Sequence, residues 1–235
     1  KKFKNILKDN YINFFYKKEN SLINGSIIFP FYHHVFDDEV KNFTLQLKFM
    51  KNYGDFISYD ESIKIIKTGI NKKDKYFCLS FDDGFKNIIN NVVNICLNNQ
   101  IPVNFFIPTD FIDNKRSDSG KVFFNNDKLR VDFLSWKDCK KISNENLFTI
   151  GSHSVNHNLI SKLSTDNCLF EVVESKKKIE NELKIPCEHF APPVGDYSLH
   201  RDLNIIKEAG YKSLSSTKRG LMNKDSNDIF GIKRH

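Results

Sequence analysis

Short apolar, β-branched or aromatic runs alternate with stretches of helical spacing about seven times along this chain, and that alternation limits the folds open to it. Residues 26–32, 56–59, 76–79, 103–107, 147–150, 189–190 and 211–215 read as strands. Between them, Val40, Phe43, Leu47 and Met50 mark a helix over 39–51, and Ile88, Val92, Val93 and Leu97 mark another over 85–98. Asp60 is expected to cap a helix carrying Ile63, Ile65 and Ile66, and Ser135 to open one at Trp136. Thr165 is expected to cap a longer helix reaching 183, and Gly210 to stop the helix over 199–209. Residues 110–130 are polar and read as a long loop. With no repeat and no linker, this pattern argues for one α/β domain with parallel strands, occupying residues 26–235. Closed or nearly closed into a barrel, such strands bring their C-terminal ends to one face, where active sites gather. The 110–130 loop follows a strand and falls on that face, either as a surface insertion or as a substrate-contacting loop.

Two segments at strand ends carry the chemistry. Ser80-Phe81-Asp82-Asp83-Gly84 follows the run 76–79. Adjacent carboxylates repel and both lose solvation on burial, so holding them together needs a reason. A metal ion supplies one, if one carboxylate binds it and the other stays free as a base. Gly84 permits a sharp backbone turn behind the pair. The bland alternative is a surface turn. Gly151-Ser152-His153-Ser154-Val155-Asn156-His157 follows the run 147–150. Its histidines, four residues apart, share a face if the segment coils, and one added carboxylate would complete three ligands with a position open for water. Each signal alone is weak, but their shared placement at strand ends makes a metal site the better reading.

These residues, followed by Phe190-Ala191-Pro192-Pro193-Val194-Gly195-Asp196-Tyr197, resemble the polysaccharide deacetylases of carbohydrate esterase family 4. The resemblance covers residues 26–235 and is nearest to the branch acting on poly-N-acetylglucosamine. It implies an irregular (β/α) barrel of about seven parallel strands. It also implies metal-dependent removal of an N-acetyl group from an amino sugar during glycan biosynthesis. Asp82 is then the base, and Asp83, His153 and His157 hold one divalent ion, expected to be Zn²⁺. In that branch an early Tyr-His supplies the acid. Tyr32-His33 matches its placement, so His33 is expected to protonate the leaving amine, with His34 the fallback. The backbone at Val194 is expected to help bind the oxyanion, and Tyr197 and Trp136 to contact sugar. Two family features are absent: the arginine that begins the third motif is replaced by Ala191, and the Asp-Trp motif that meets it is missing. Arg234 could substitute. The rival readings are another amide hydrolase of this fold, such as a deformylase, and an inactive glycan-binding module.

The rest of the sequence sets bounds. A hydrophobic content of 40% can fill one large core. The net charge of +7 admits an anionic glycan, a membrane surface or nucleic acid. Its lysines are scattered, as at Lys72-Lys73, Lys140-Lys141 and Lys176-Lys177-Lys178, and no nucleic-acid motif accompanies them. Cys78, Cys96, Cys139, Cys168 and Cys187 lack Cys-x-x-Cys spacing and read as buried thiols in a reducing compartment. No run is long enough to span a bilayer. Residues 1–25 read as an N-terminal extension whose Asn10, Asn13 and Lys17-Lys18-Glu19 interrupt any signal-peptide core. The expected location is the cytoplasm, the alternative being a secreted or periplasmic protein trimmed of its leader.

Overall fold

The computed structural model describes residues 24–125 and 131–235. Its elements begin with β1 (Ser26–Ile28), β2 (Phe31–Tyr32), α1 (Val40–Lys51), β3 (Asp55–Phe56), α2 (Tyr59–Thr68), β4 (Lys75–Phe77) and β5 (Leu79–Phe81). A π-helical turn, Ile89–Val93, runs into α3 (Asn94–Asn98), and β6 (Val103–Ile107) follows. Next come α4 (Thr109–Ile112), α5 (Ser119–Phe124), α6 (Trp136–Ser143), β7 (Phe148–Ser152) and α7 (Thr165–Leu183). The last are β8 (His189–Phe190), α8 (Arg201–Glu208), β9 (Ser213–Leu214) and β10 (Met222–Asn223).

Six parallel strands form one sheet in the order β2-β5-β6-β7-β8-β9, and a second sheet runs β10-β1-β4-β3. The chain passes from one sheet to the other twice, from β1 into β2 and from β4 into β5. Pro30 has no N–H to give, so β1 stops before it and β2 resumes after it. Pairing nevertheless carries across, because Cys78 N donates to Ile28 O at 2.9 Å and Ser80 N to Pro30 O at 3.0 Å. The expected strands 26–32 and 76–79 are therefore each divided in two. Counted through those breaks the parallel strands number seven, in agreement with an irregular (β/α) barrel. Segment 232–235 bridges the sheet's two edges. On one side Ser216 N donates to Ile232 O at 2.8 Å, and on the other Phe31 N donates to His235 O at 2.9 Å.

Strand alternation sorts the side chains. Leu79, Phe81, Val103, Phe105, Ile107, Ile150, Phe190 and Leu214 pack in one cluster with helical residues such as Phe43, Val92, Ile142, Val172 and Ile206. The alternate residues, Ser80, Asp82, Asn104, Phe106, His189, Ser213 and Ser215, are buried on the opposite face, inside the barrel. Gly151 is required there. A Cβ at that position would lie 2.7 Å from the Phe106 ring and 2.9 Å from the His189 carbonyl oxygen.

Some boundaries move. Ser58 caps α2, accepting from Glu61 N at 3.2 Å, so Asp60 lies inside the first turn. Ser164, one residue before Thr165, caps α7. Residues 110–125 are not a loop, since α4 and α5 occupy most of them, and 126–130 lie outside the described residues. Apolar Phe111, Ile112, Val122 and Phe123 are spaced too irregularly among polar neighbours for a periodic pattern to reveal two such short helices. The antiparallel β10 also escapes periodicity, because a two-residue strand has none to display.

Candidate active site

Most of the chemistry-bearing residues directly follow a parallel strand. His33 follows β2, Asp82 and Asp83 follow β5, His153 follows β7, and Ala191 follows β8. They therefore meet at one rim of the barrel.

The backbone at the carboxylate pair explains how neighbours serve different partners. Asp83 has φ 72° and Gly84 φ 69°, both left-handed. Asp82 continues the inward direction of Ser80 and meets Arg234, whereas the turn at Asp83 swings its carboxylate toward the histidines. Left-handed backbone at a non-glycine residue costs on the order of 1 kcal/mol or more, and such strain gathers at functional sites. Here Ser154 (φ 68°), His157 (φ 58°) and Val194 (φ 59°) share it with Asp83.

Asp83 Oδ1 lies 3.3 Å from His153 Nε2 and 3.2 Å from His157 Nε2. All three ligand atoms fall within 4.8 Å of one another. His153 Nδ1 is 2.6 Å from the Ala191 carbonyl oxygen, which can only accept, so Nδ1 carries the proton and Nε2 turns a lone pair to the site. Asp83 Oδ1 is buried and receives no hydrogen bond. Burial raises the Asp83 carboxyl, and with no cation present it is held well below the usual carboxylate range only if the facing imidazole nitrogens carry protons, a place that a bound cation would take. An ionised oxygen and imidazole lone pairs converging on one point repel unless a cation lies between them, so the donor set fits a divalent ion of the zinc type. Replacing His153 with Ala would remove one of the three candidate ligands. Metal content in His153→Ala, measured by elemental analysis after dialysis, is expected to fall to a small fraction of that in the unmodified protein. Full occupancy and activity in a His153→Ala, His157→Ala double variant would overturn this site.

Asp82 is 2% exposed, and Arg234 Nη1 donates to its Oδ1 at 2.8 Å. The guanidinium is wholly buried, donates through Nε to Ser216 O at 3.0 Å, and lies 4.4 Å from the Phe31 ring centroid and 5.6 Å from that of Phe106. Burial works against its charge, but Asp82, together with Tyr59 and Asp83 nearby, outweighs that and holds Arg234 above its usual value. Residue 234 sits on the segment that closes the barrel, so the same backbone bonds that complete the ring place the arginine beside Asp82.

The parallel register pairs Phe31 with Ser80 and Tyr32 with Phe81, which brings His33 level with Asp82. His33 is exposed and meets Phe31 edge-on, with centroids 5.5 Å apart. Tyr32 and His34 alternate away from it. Tyr32 packs on Phe43 and Phe81, and the His34 ring lies 4.1 Å from that of Phe36. Val194 is 68% exposed at the rim, with Gly195 N bonded back to Pro192 O at 2.9 Å. Tyr197 packs partly buried against the main core. Trp136 is not brought into contact with the histidines. Its indole N–H donates to Asp113, and Lys178 lies 5.9 Å over its ring. Sequence reading does not single out Phe123. Its ring, on α5, lies 4.6 Å from that of His157 and makes a wall beside the histidines. Only the phenylalanine density of segment 111–133 hinted at it.

Acid–base groups gathered at the C-terminal rim of a (β/α) barrel, with an inward carboxylate held by a buried guanidinium, lie where enzymes of this architecture keep their active sites. Residues 69–214 match the polysaccharide deacetylase family, and the chain belongs to that family. No curated protein sequence matches it significantly. Among solved structures it is similar to the Streptococcus pyogenes deacetylase PplD in complex with acetate. That match has TM-score 0.75 and 20% identity, covering 90% of this chain and 92% of that one. It is also similar to IcaB from Ammonifex degensii, with TM-score 0.72 and 17% identity over 89% and 91% of the two chains. The BpsB deacetylase domain from Bordetella bronchiseptica gives TM-score 0.73 and 14% identity over 89% and 95%. At these identities the likeness concerns the fold.

Proposed function

We propose that this protein is a metal-dependent N-deacetylase that removes the acetyl group from an amino sugar in a glycan or glycan precursor. The observation that carries the reading is the convergence of Asp83, His153 and His157 beside a second, separately held carboxylate. The family and the deacetylases sharing the fold support it, as does the acetate named with PplD.

A Zn²⁺ ion held by Asp83, His153 and His157 would supply Lewis-acid activation of a water molecule and of the acetyl carbonyl. Asp82 takes a proton from the attacking water. Arg234 occupies Asp82 Oδ1, which fixes the carboxylate and leaves Oδ2 to act as the base. The backbone at Val194 lies at the rim, where the carbonyl oxygen gains charge. His33 protonates the departing amine, so that acetate and a free amino sugar leave. The exposure of His33 suits a group that must meet a leaving nitrogen at the mouth of the site. The five free, buried cysteines support a reducing compartment, and we place the protein in the cytoplasm on that ground.

Acetate release from free, lipid-linked, nucleotide-linked and polymeric N-acetylated sugars tests the reading, with chelator-treated protein as the control. Release that stops with chelator and returns with Zn²⁺ is the expected result. No acetate from any member of the set with metal-loaded protein would overturn it.

The roles differ in protonation, which gives a second test. Asp82 works without its proton and His33 with it, so rate against pH should be bell-shaped. In His33→Ala the alkaline limb is expected to change and the rate to fall by about two orders of magnitude, the lower range for a general acid. An unaltered rate and profile would move the acid's role to another group.

A further inference from the structure

The loop between the metal-facing histidines is shaped by a carboxylate that meets neither of them. Glu171 lies on α7 and is 2% exposed. Its Oε2 accepts from the backbone N–H of Val155 at 2.9 Å and of Asn156 at 2.8 Å. Its Oε1 accepts from the side-chain amides of Asn156 and Asn158, each at 3.0 Å. Asn156 is gripped from its other side as well. Arg116 Nη1 donates to the Asn156 carbonyl oxygen at 3.1 Å and to its Oδ1 at 3.3 Å, while Arg116 Nε and Nη2 bind Asp118 at 2.8 and 2.7 Å.

Burying a carboxylate costs several kcal/mol unless it is well bonded. All four of these bonds go to one short loop, whose backbone would otherwise resist its shape. Ser154 and His157 are both left-handed, at φ 68° and 58°, a conformation that costs on the order of 1 kcal/mol or more per residue. Ser154 Oγ accepting from His157 N at 3.1 Å is the loop's own contribution to that shape. The separation of the His153 and His157 Nε2 atoms depends on the turn between them, and Glu171 fixes the turn.

We propose that Glu171 is a positioning residue for the metal centre. By clamping residues 155–158 it holds His153 and His157 at one spacing and so sets the affinity for a divalent cation, without touching the ion or the substrate. This rests on the metal reading above. A sequence signal for it exists: Cys168, Glu171, Val172, Ser175 and Ile179 fall on one helical stripe, and all are buried, so a glutamate within an otherwise uncharged stripe needs a partner.

The test measures binding of Co²⁺ by optical titration and of Zn²⁺ by chelator competition. Glu171→Gln keeps the side chain's shape but turns an amide donor toward amide donors of the loop. It should weaken metal binding about 10- to 100-fold, with turnover at saturating metal staying within about twofold of the unmodified protein. Asn158→Ala removes one of the four bonds at an exposed residue and should weaken binding about threefold, which keeps the test decisive if Glu171→Gln does not fold. A merely structural role would lower thermal stability and leave the dissociation constant unmoved. Unmodified protein that binds Co²⁺ alongside variants that bind it equally well overturns this inference alone. Unmodified protein that binds neither ion overturns the metal reading and this inference with it.

Discussion

Asp82→Asn is expected to lower turnover by about two to four orders of magnitude, the range for loss of a general base, while metal content stays near that of the unmodified protein. Asn keeps the shape of the side chain and an Oδ1 that can still accept from Arg234 Nη1, now 2.8 Å away. It cannot take a proton from water. Asp83→Asn should behave differently, because Asp83 Oδ1 faces the two imidazoles at 3.2 and 3.3 Å. Its loss should show first in metal affinity, with activity partly restored by excess ion. The left-handed turn at Asp83 separates these roles, since it points adjacent carboxylates at different partners. Equal metal loss in the two variants would mean that the roles are shared or exchanged. Unchanged turnover in Asp82→Asn would remove the deacetylation mechanism.

The largest effect on stability is expected from Arg234→Met. The methionine refills much of the space but leaves Asp82, 2% exposed, as a buried charge without its cation. Removing one partner of a buried pair costs about 3–5 kcal/mol, more than the pair contributes over an apolar replacement. Urea unfolding at neutral pH, with and without the second substitution Asp82→Asn, measures this. The double variant should recover a large part of the loss, because neutralising Asp82 removes the orphaned charge. Arg234→Lys should not restore the site, since an ammonium cannot serve Asp82 Oδ1 and Ser216 O at once while lying against the Phe31 ring. Turnover should fall in Arg234→Met, though less than in Asp82→Asn. A stability loss under about 1 kcal/mol with normal turnover would mean that the guanidinium does not hold the base.

Much of this architecture is legible in the chain because it is written locally. Parallel strands buried on both faces show as short apolar runs, the helices between them show their periodicity, and the alternation of the two implies a barrel. The strand over Val103–Ile107 and the helix opening at Ser135 lie where the sequence places them, since a fully buried five-residue run and a serine cap are strong local signals. The carboxylate pair and the spaced histidines are legible for the same reason, as each sits just past a recognisable strand. Weak local signals fail. Short α4 and α5 read as a loop, two-residue β10 shows no period, and a serine one or two residues upstream displaces the expected caps at Asp60 and Thr165.

What the chain by itself determines is therefore the order of its elements and the kinds of side chain at the strand ends. What only the tertiary structure decides is which distant groups complete them. Arg234 reaches Asp82 across 152 residues of sequence, and Glu171 reaches Asn156 across 15. The physical reason is the same in each case. An ion pair or a hydrogen bond between separate elements leaves no periodicity in either one, and it exists only after barrel closure has brought their backbones together and withdrawn both groups from water.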